Sequence, residues 1–356
     1  MFKPKRLRLI SGVLVCVVAI FSLLFFVYQR NQTATSIREI TKSIQMQDQE
    51  LFKKNCANYS DGEPISRETM KFFFESFSKK TKESEIRTLF LEKSAFKQEN
   101  QRSWFKKTKF LPHKRYLTCA KQEDTEINLL ESIKNSDNTG GEIRFGPFIP
   151  NNYQIDALVV SPIFGSSKER IEANLLKEDS DYTVEEKKLF LNNQEFQQQV
   201  LDTTVNYFSS FNECVNLGFN FDRLRSVSEE TRGEFQANFE MLKPFLASFE
   251  YSFQRLALNT DSLKIQEGAN MRLTFDLYID CQVTTQLIDE PKADFTAQNN
   301  AIVTMVFDKE SKEWLIEQAD FRTFNQDITQ WKNVQKFELK KRNHAYWTKN
   351  GLDNMV

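Results

Sequence analysis

Twenty consecutive residues, Leu9 to Tyr28, carry no charge and are mostly apolar. As an α-helix they would reach about 30 Å, the thickness of a bilayer's hydrocarbon core, and no other segment constrains the fold as strongly. Lys3, Lys5, Arg6 and Arg8 precede the run, whereas only Arg30 and Arg38 follow it closely. Basic flanks stay in the cytoplasm, so the pattern predicts a cytoplasmic tail over 1–8, a single-pass anchor over 9–28 and an extracytoplasmic bulk. A cleaved signal peptide would have a shorter apolar core and a small-x-small site after it. Here the run ends in Phe25, Phe26, Val27 and Tyr28. Cys16, between Val15 and Val17, is expected to serve as a small apolar residue of the span rather than a lipid attachment point.

The 48 basic and 49 acidic side chains nearly cancel, which argues against a nucleic-acid partner. The 33 phenylalanines supply ample core material, and only 10 glycines leave little scope for phosphate-cradling loops. Cys56, Cys119, Cys214 and Cys281 are far apart with no C-x-x-C pair, so a zinc knuckle is not expected. As candidate disulfides, near neighbours would pair as Cys56–Cys119 and Cys214–Cys281. The alternative is four separate buried thiols.

Periodicity divides the rest. Ser36 to Asn58 reads as a helix through Ile37, Ile40, Ile44, Leu51 and Phe52. After a turn at Asp61-Gly62, Ser66 is placed to cap a second helix carrying Met70, Phe73, Phe74 and Phe77. A third is predicted near Ser84 to Phe96, which closes a helical domain over 36–102. Over 103–196 short alternating strands predict a small β-sandwich: Phe110-Leu111, Tyr116 to Cys119, Glu142 onward, Tyr153 to Val159, Ile171 to Leu175, and another at Leu189 and Leu191. Ser136 to Gly141 reads as a polar loop and Ser161 to Ser167 as a hairpin turn. Phe196 to Gly218 and Ser228 to Phe245 are again helical. The period then becomes two: Met271, Leu273, Phe275, Leu277, Ile279, Cys281, Val283 and Leu287 are apolar, with Arg272, Thr274, Asp276, Asp280 and Gln282 between them. That predicts one long strand with a single apolar face. Hairpin strands at Ile302 to Phe307 and Trp314 to Phe324 follow. Helices before a long meander make a helix-on-sheet cone over 197–325, an α+β arrangement, with 326–356 as a basic and aromatic tail.

Three stretches carry a family resemblance. Ile44 to Phe77 joins two helices through Ser60-Asp61-Gly62 and Ile65-Ser66. Phe145-Gly-Pro-Phe-Ile-Pro150 with Tyr153 looks like a Gly-Pro-x-x-Pro-Gly-x-Tyr signature in which Asn151 replaces the second glycine. Phe196 to Phe324 is the third. In this order, after one anchor, the chain resembles the extracytoplasmic region of the TcaA family of Gram-positive bacteria, the teicoplanin-resistance-associated membrane proteins. The likeness spans roughly half of the chain. It implies an NTF2-like fold for the cone, and an envelope protein that affects sensitivity to cell-wall antibiotics and the handling of wall polymers. Many members carry a cytoplasmic zinc ribbon before the span, for which Met1 to Arg8 leave no room. Leu189 to Asn193 looks like the remnant of a fourth domain.

Catalytic groups are scarce. His113 and His344 both fall outside the predicted cone, and no G-x-S-x-G, H-E-x-x-H, P-loop or EF-hand pattern occurs. Asp276 and Asp280, with Tyr278 between them, share the polar face of their strand and are expected to be solvated. No enzymatic activity, metal or cofactor is expected; binding is. One candidate surface for an anionic polymer is Arg102, Lys106, Lys107, Lys109, Lys114 and Arg115, interleaved with Trp104, Phe105, Phe110 and Tyr116. Its alternative is strands whose aromatics turn inward. A second is the tail, where Lys336, Lys340, Lys341 and Arg342 lie among aromatics, in an exposed amphipathic helix or against a membrane. The expected function is a non-enzymatic, membrane-anchored envelope protein that binds wall polymer (teichoic acid or peptidoglycan) or a wall-assembly partner. The alternatives are a small-molecule receptor using the cone, and a scaffold for an envelope secretion or division complex.

Overall fold

The computed structural model describes residues 32–78, 80–99, 107–122, 124–130, 135–139, 141–268, 270–294, 299–322 and 327–349. Among these, no helix is long and apolar enough to cross a membrane, and the run Leu9 to Tyr28 lies outside them. The chain forms two compact units, one of Met1–Val160 with Lys168–Val184, the other of Ser161–Ser167 with Glu185–Val356. The helical segment expected over 36–102 and most of the β-rich segment expected over 103–196 fall in the first unit, while 161–167 and 185–196 fall in the second.

In the first unit, α1 covers residues 32–46, followed by α2 (Gln49–Lys53), α3 (Arg67–Glu75) and α4 (Glu83–Leu91). The single helix predicted from Ser36 to Asn58 breaks because Gln47 takes a left-handed φ of 54° and Asp48 restarts the helix, its carboxylate accepting from Leu51 N at 2.9 Å. Ser66 caps α3 as predicted, through Thr69 N at 3.0 Å. The third helix ends at Leu91, and Phe96 instead opens β1 (Phe96–Glu99), paired antiparallel with β2 (Lys109–Pro112).

These elements enclose a solid aromatic core. Phe52, Phe73, Phe90, Phe96 and Phe110 are all fully buried. Their rings interlock, Phe90 stacking on Phe96 at 4.3 Å and meeting Phe110 edge-on at 5.4 Å.

The remaining strands are β3 (Arg115–Ala120), β4 (Glu126–Leu129), β5 (Asn135–Thr139), β6 (Glu142–Phe148), β7 (Asn152–Ser161), β8 (Gly165–Asn174) and β9 (Ser180–Thr183). They form a four-stranded sheet, β5-β6-β3-β9, and a three-stranded one, β4-β7-β8. The predicted polar loop at Ser136 to Gly141 is largely β5: backbone pairing to β6 at a sheet edge needs no apolar side chains.

The Gly-Pro signature joins helices to strands. Pro147 O accepts from Tyr59 Oη at 2.9 Å, Asn151 Nδ2 donates to Ser76 Oγ at 2.7 Å, and Phe72 stacks on Tyr153 at 4.9 Å. Asn151, the departure from the family pattern, therefore has a partner on the last turn of the second predicted helix. Gly146 is required: its φ is +130°, and a Cβ would lie 2.9 Å from Arg115 O.

The second unit contains α5 (Glu186–Leu191), α6 (Gln194–Asn216), α7 (Glu229–Leu242), β10 (Leu246–Asn259), β11 (Lys264–Gln266), β12 (Arg272–Leu287), β13 (Ala293–Asp294), β14 (Asn300–Asp308), β15 (Glu313–Phe321) and β16 (Val334–Thr348). The sheet runs β15-β14-β12-β10-β16, with β11 and β13 also paired to β12. Leu189 and Leu191, expected in a strand, lie in α5. The expected tail is corrected as well: residues 334–348 are not a helix but β16, antiparallel to β10 at the sheet edge. Its lysines suit an edge strand, where charge discourages pairing with other chains. Trp314, the largest fully buried side chain among the described residues, packs on Phe307, Phe196 and Phe164, and its Nε1 donates to Ile163 O at 3.1 Å.

The four cysteines considered for disulfides are all free and buried. They behave as small apolar side chains, the alternative stated for them above.

Candidate functional site: an aromatic funnel

The apolar face of β12 changes character along its length. Leu273, Phe275, Leu277 and Ile279 are sealed in the core. Beyond them the same face continues through Cys281, 5% exposed, and Val283, and then through Thr285 to Leu287, 39% exposed. Tyr251 and Phe249 on β10 lie beside it, opposite Val283 and Thr285. Helix α6 supplies Tyr207, Phe208 and Phe211. Helix α7 supplies Phe235, Asn238, Phe239 and Leu242, at the i, i+4 spacing that puts side chains on one helical face.

Between them is a cavity of about 460 Å³, completed by Phe219, Phe221, Ala319 and Phe321. That volume is in the range of small-molecule sites. Tyr207, Phe208, Tyr251 and Cys281 form a buried floor, while Leu242 (49% exposed) and Phe321 (43%) mark an open mouth.

Helix α7 covers the cavity without closing it. Its one buried residue is Thr231, in the first turn. That turn is anchored: Ser228 Oγ accepts from Thr231 N at 3.2 Å, and Thr231 Oγ1 donates to Glu317 O at 3.0 Å. Farther along, Phe239 stacks on Phe219 at 3.6 Å and meets Trp347 of β16 edge-on at 6.5 Å.

Among the described residues, no aspartate, glutamate, lysine, arginine or histidine lines the funnel. Its titratable groups are Tyr207, Tyr251 and Cys281. Burial pushes both phenols well above their usual range, and burial followed by the nearby Asp280 carboxylate pushes the Cys281 thiol up to about 11. The floor is therefore neutral at physiological pH.

The other candidates are committed elsewhere. Asp276 pairs with Arg322 at 2.7 Å, and Asp280 is held between Arg342 at 2.9 Å and Arg255 at 3.2 Å. Arg255 also donates to Tyr278 Oη at 3.4 Å. Instead of lying free in solvent, the two aspartates cross-link strands on the polar face. His113 shares a 3.0 Å hydrogen bond with Ser60, and His344 is exposed on β16. Among the described residues no cluster of His, Cys, Asp and Glu could hold a metal ion.

Of the expected polyanion surface, Arg102, Trp104 and Lys106 lie outside the described residues. Lys107 pairs with Glu39, Lys114 lies between Asp61 and Glu63, and Arg115 donates to Ser94 O at 2.6 Å. The hydrogen bonds it donates to the Asp61 and Glu63 carboxylates hold the Lys114 ammonium above its ordinary range. Lys109 is exposed, and Phe110 points into the core. In the expected tail, Lys336, Lys340 and Lys341 are exposed on β16, and Arg342 is spent on Asp280. A cone able to receive a small molecule was among the expected alternatives, but its lining residues were not legible, because phenylalanines around a cavity follow the same pattern as phenylalanines in a packed core. The available signal was their recurrence at Phe235, Phe239 and Leu242 in a helix with little else to bury.

A family model described as the YvbJ NTF2-like domain matches residues 200–320. The C-terminal region is an NTF2-like domain. The match takes in most of α6, all of α7 and nearly all of the sheet through β15, so the funnel belongs almost wholly to the NTF2-like domain, while β16 lies beyond the matched segment. No curated protein and no solved structure matches the chain.

Proposed function

We propose that this chain is a non-enzymatic binding protein of the cell envelope, held to the membrane by residues 9–28, whose NTF2-like domain receives an apolar or amphiphilic molecule. The observation that carries this is the funnel: about 460 Å³ of space walled by aromatic rings, with no charged side chain lining it among the described residues. Apolar walls give affinity through the hydrophobic effect, and the few polar groups, Asn238 and the two tyrosines, can orient what enters. Acid–base chemistry would require a group titrating near neutrality, and the thiol and phenols are shifted away from it.

Membership of the TcaA family and a role in the response to wall antibiotics fit the Gly146-Pro147 junction and the NTF2-like domain that follows it. Wall-polymer binding through the 102–115 segment has less support, because Lys107 and Lys114 are already paired within the chain.

Native mass spectrometry of the full chain released from lipid nanodiscs tests the binding reading. A bound small mass, displaced by a compact apolar aromatic probe, is expected; a chain that carries no mass and takes up no probe refutes it. Protease added to intact protoplasts should remove the folded bulk, and its survival would refute the envelope placement.

A further inference from the structure

The dimensions and walls of the funnel narrow the class of ligand, and this step rests on the binding function just proposed. The longest run of lining residues on any one element is Phe235 to Leu242 of α7, about 10 Å of helix. A volume of about 460 Å³ over that length is short and broad. It matches two fused six-membered rings with a small substituent rather than an extended chain.

The walls favour a flat, unsaturated occupant. Phe211 meets Tyr251 edge-on at 4.9 Å, and Phe219 meets Phe249 edge-on at 5.3 Å while stacking on Phe239. Both the faces and the edges of rings therefore border the space. Aromatic rings attract one another in offset-stacked and edge-to-face arrangements beyond what their buried area supplies. A saturated molecule of the same shape forgoes that gain.

Polarity adds a second constraint. With no charged side chain on the described lining, a carboxylate or ammonium carried to the floor would lose its hydration without gaining a partner. One polar group there is unspent. The Tyr251 hydroxyl is directed at Phe208 O, 3.5 Å away, but the Tyr207 hydroxyl forms no hydrogen bond with the described residues, although only 6% of Tyr207 is exposed. A buried hydroxyl can both donate and accept, and leaving it unpaired is unfavourable, so a ligand that supplies a partner is favoured over one that does not.

We propose that the funnel takes a compact, uncharged aromatic molecule, two fused rings in size, whose hydroxyl or carbonyl group bonds the Tyr207 hydroxyl on the floor.

The test follows hydrogen exchange of α7 peptides in the full chain in nanodiscs, at free probe concentrations set by dialysis. Because α7 buries only Thr231, an occupant packed on Phe235 and Phe239 should slow its exchange. 2-Naphthol should give this protection. Its saturated counterpart, decahydro-2-naphthol, should bind about fivefold more weakly. 2-Naphthoate, the same rings with a carboxylate, should bind more weakly by about tenfold or more. Tyr207→Phe keeps the ring and removes only the oxygen. It should weaken 2-naphthol about fivefold and leave naphthalene unchanged. Ala319→Trp, which fills part of the funnel, should remove protection by every ring probe.

Equal affinity for 2-naphthol and its saturated counterpart, equal affinity for 2-naphthol and 2-naphthoate, or undiminished binding of 2-naphthol by Tyr207→Phe overturns the proposal. If native mass spectrometry finds a bound mass while none of the ring probes protects α7, this inference falls and the binding reading stands. If no mass is bound and no probe protects, both fall.

Discussion

Phenylalanine does opposite things in the two units. In the first, Phe52, Phe73, Phe90, Phe96 and Phe110 fill the space they enclose, each in edge or stacked contact with another ring and none exposed. In the second, Phe211, Phe235, Phe239 and Phe249 are only partly covered and stand around a void. Composition is blind to this difference. What separates the cases is the backbone: short helices and a hairpin can close around their rings, whereas a sheet of strands up to 16 residues long under α6 and the 14-residue α7 does not close. A solid core stabilises the fold; a hollow one of the same residue type gives up packing for a place to bind.

The sharpest way to break this contrast is to remove one ring from each unit. Phe73→Ala should cost about 3–5 kcal/mol, the transfer free energy plus a new cavity in a core that cannot collapse. Phe239→Ala should cost roughly 1–2 kcal/mol, because that ring already borders empty space and solvent. Hydrogen exchange, resolved by peptide in each unit, measures both. Equal losses would mean that the funnel is not hollow in solution.

The converse experiment adds atoms. Ala95→Leu, at a fully buried site in the first unit, should destabilise by about 1–3 kcal/mol through overpacking. Ala319→Leu, on the funnel wall, should be neutral or stabilising by about 1 kcal/mol, as cavity filling is. Gly146→Ala belongs with the solid unit. The unfavourable φ and the close approach of Arg115 O leave its Cβ no room, and a loss of about 1–3 kcal/mol is expected in denaturant unfolding. If Ala95→Leu were tolerated and Ala319→Leu were not, the assignment of solid and hollow would be reversed.

Much of the architecture was legible in the residues. Ser66 caps where its side chain could reach the third residue on, and the alternation from Met271 to Leu287 gives the strand and its buried face. β16 was not legible. Lys336, Lys340, Lys341 and Arg342 made it look like a solvated tail, since an edge strand needs only its backbone to join a sheet and uses charge to remain an edge. Nor was the restart at Asp48, where a short side chain outcompetes helix continuation across Gln47. The funnel lay furthest from view. Periodicity tells which side chains face inward, and the volume they fail to fill depends on where strands and helices stop approaching one another.

The smallest expected effect compares two thiols. Burial raises both Cys56 and Cys281, and Cys281 reaches about 11 from an ordinary value of 9.0. A raised native pKa means that the folded state holds its proton more tightly than the unfolded one. The Cys281 contribution is therefore complete below pH 9 and is lost as pH rises toward 11, by about 1 kcal/mol at pH 10. Cys281→Ala should flatten that part of the stability profile. Reactivity separates the thiols further. Both stay protonated and slow toward iodoacetamide at pH 8, but Cys281 opens onto a cavity and Cys56 onto packed rings, so Cys281 should be alkylated first and an occupant of the funnel should protect it alone. If Cys56 reacted at the same rate, or if protection extended to it, the first unit would be opening as readily as the funnel does, and the distinction between a filled core and a hollow one would not survive in solution.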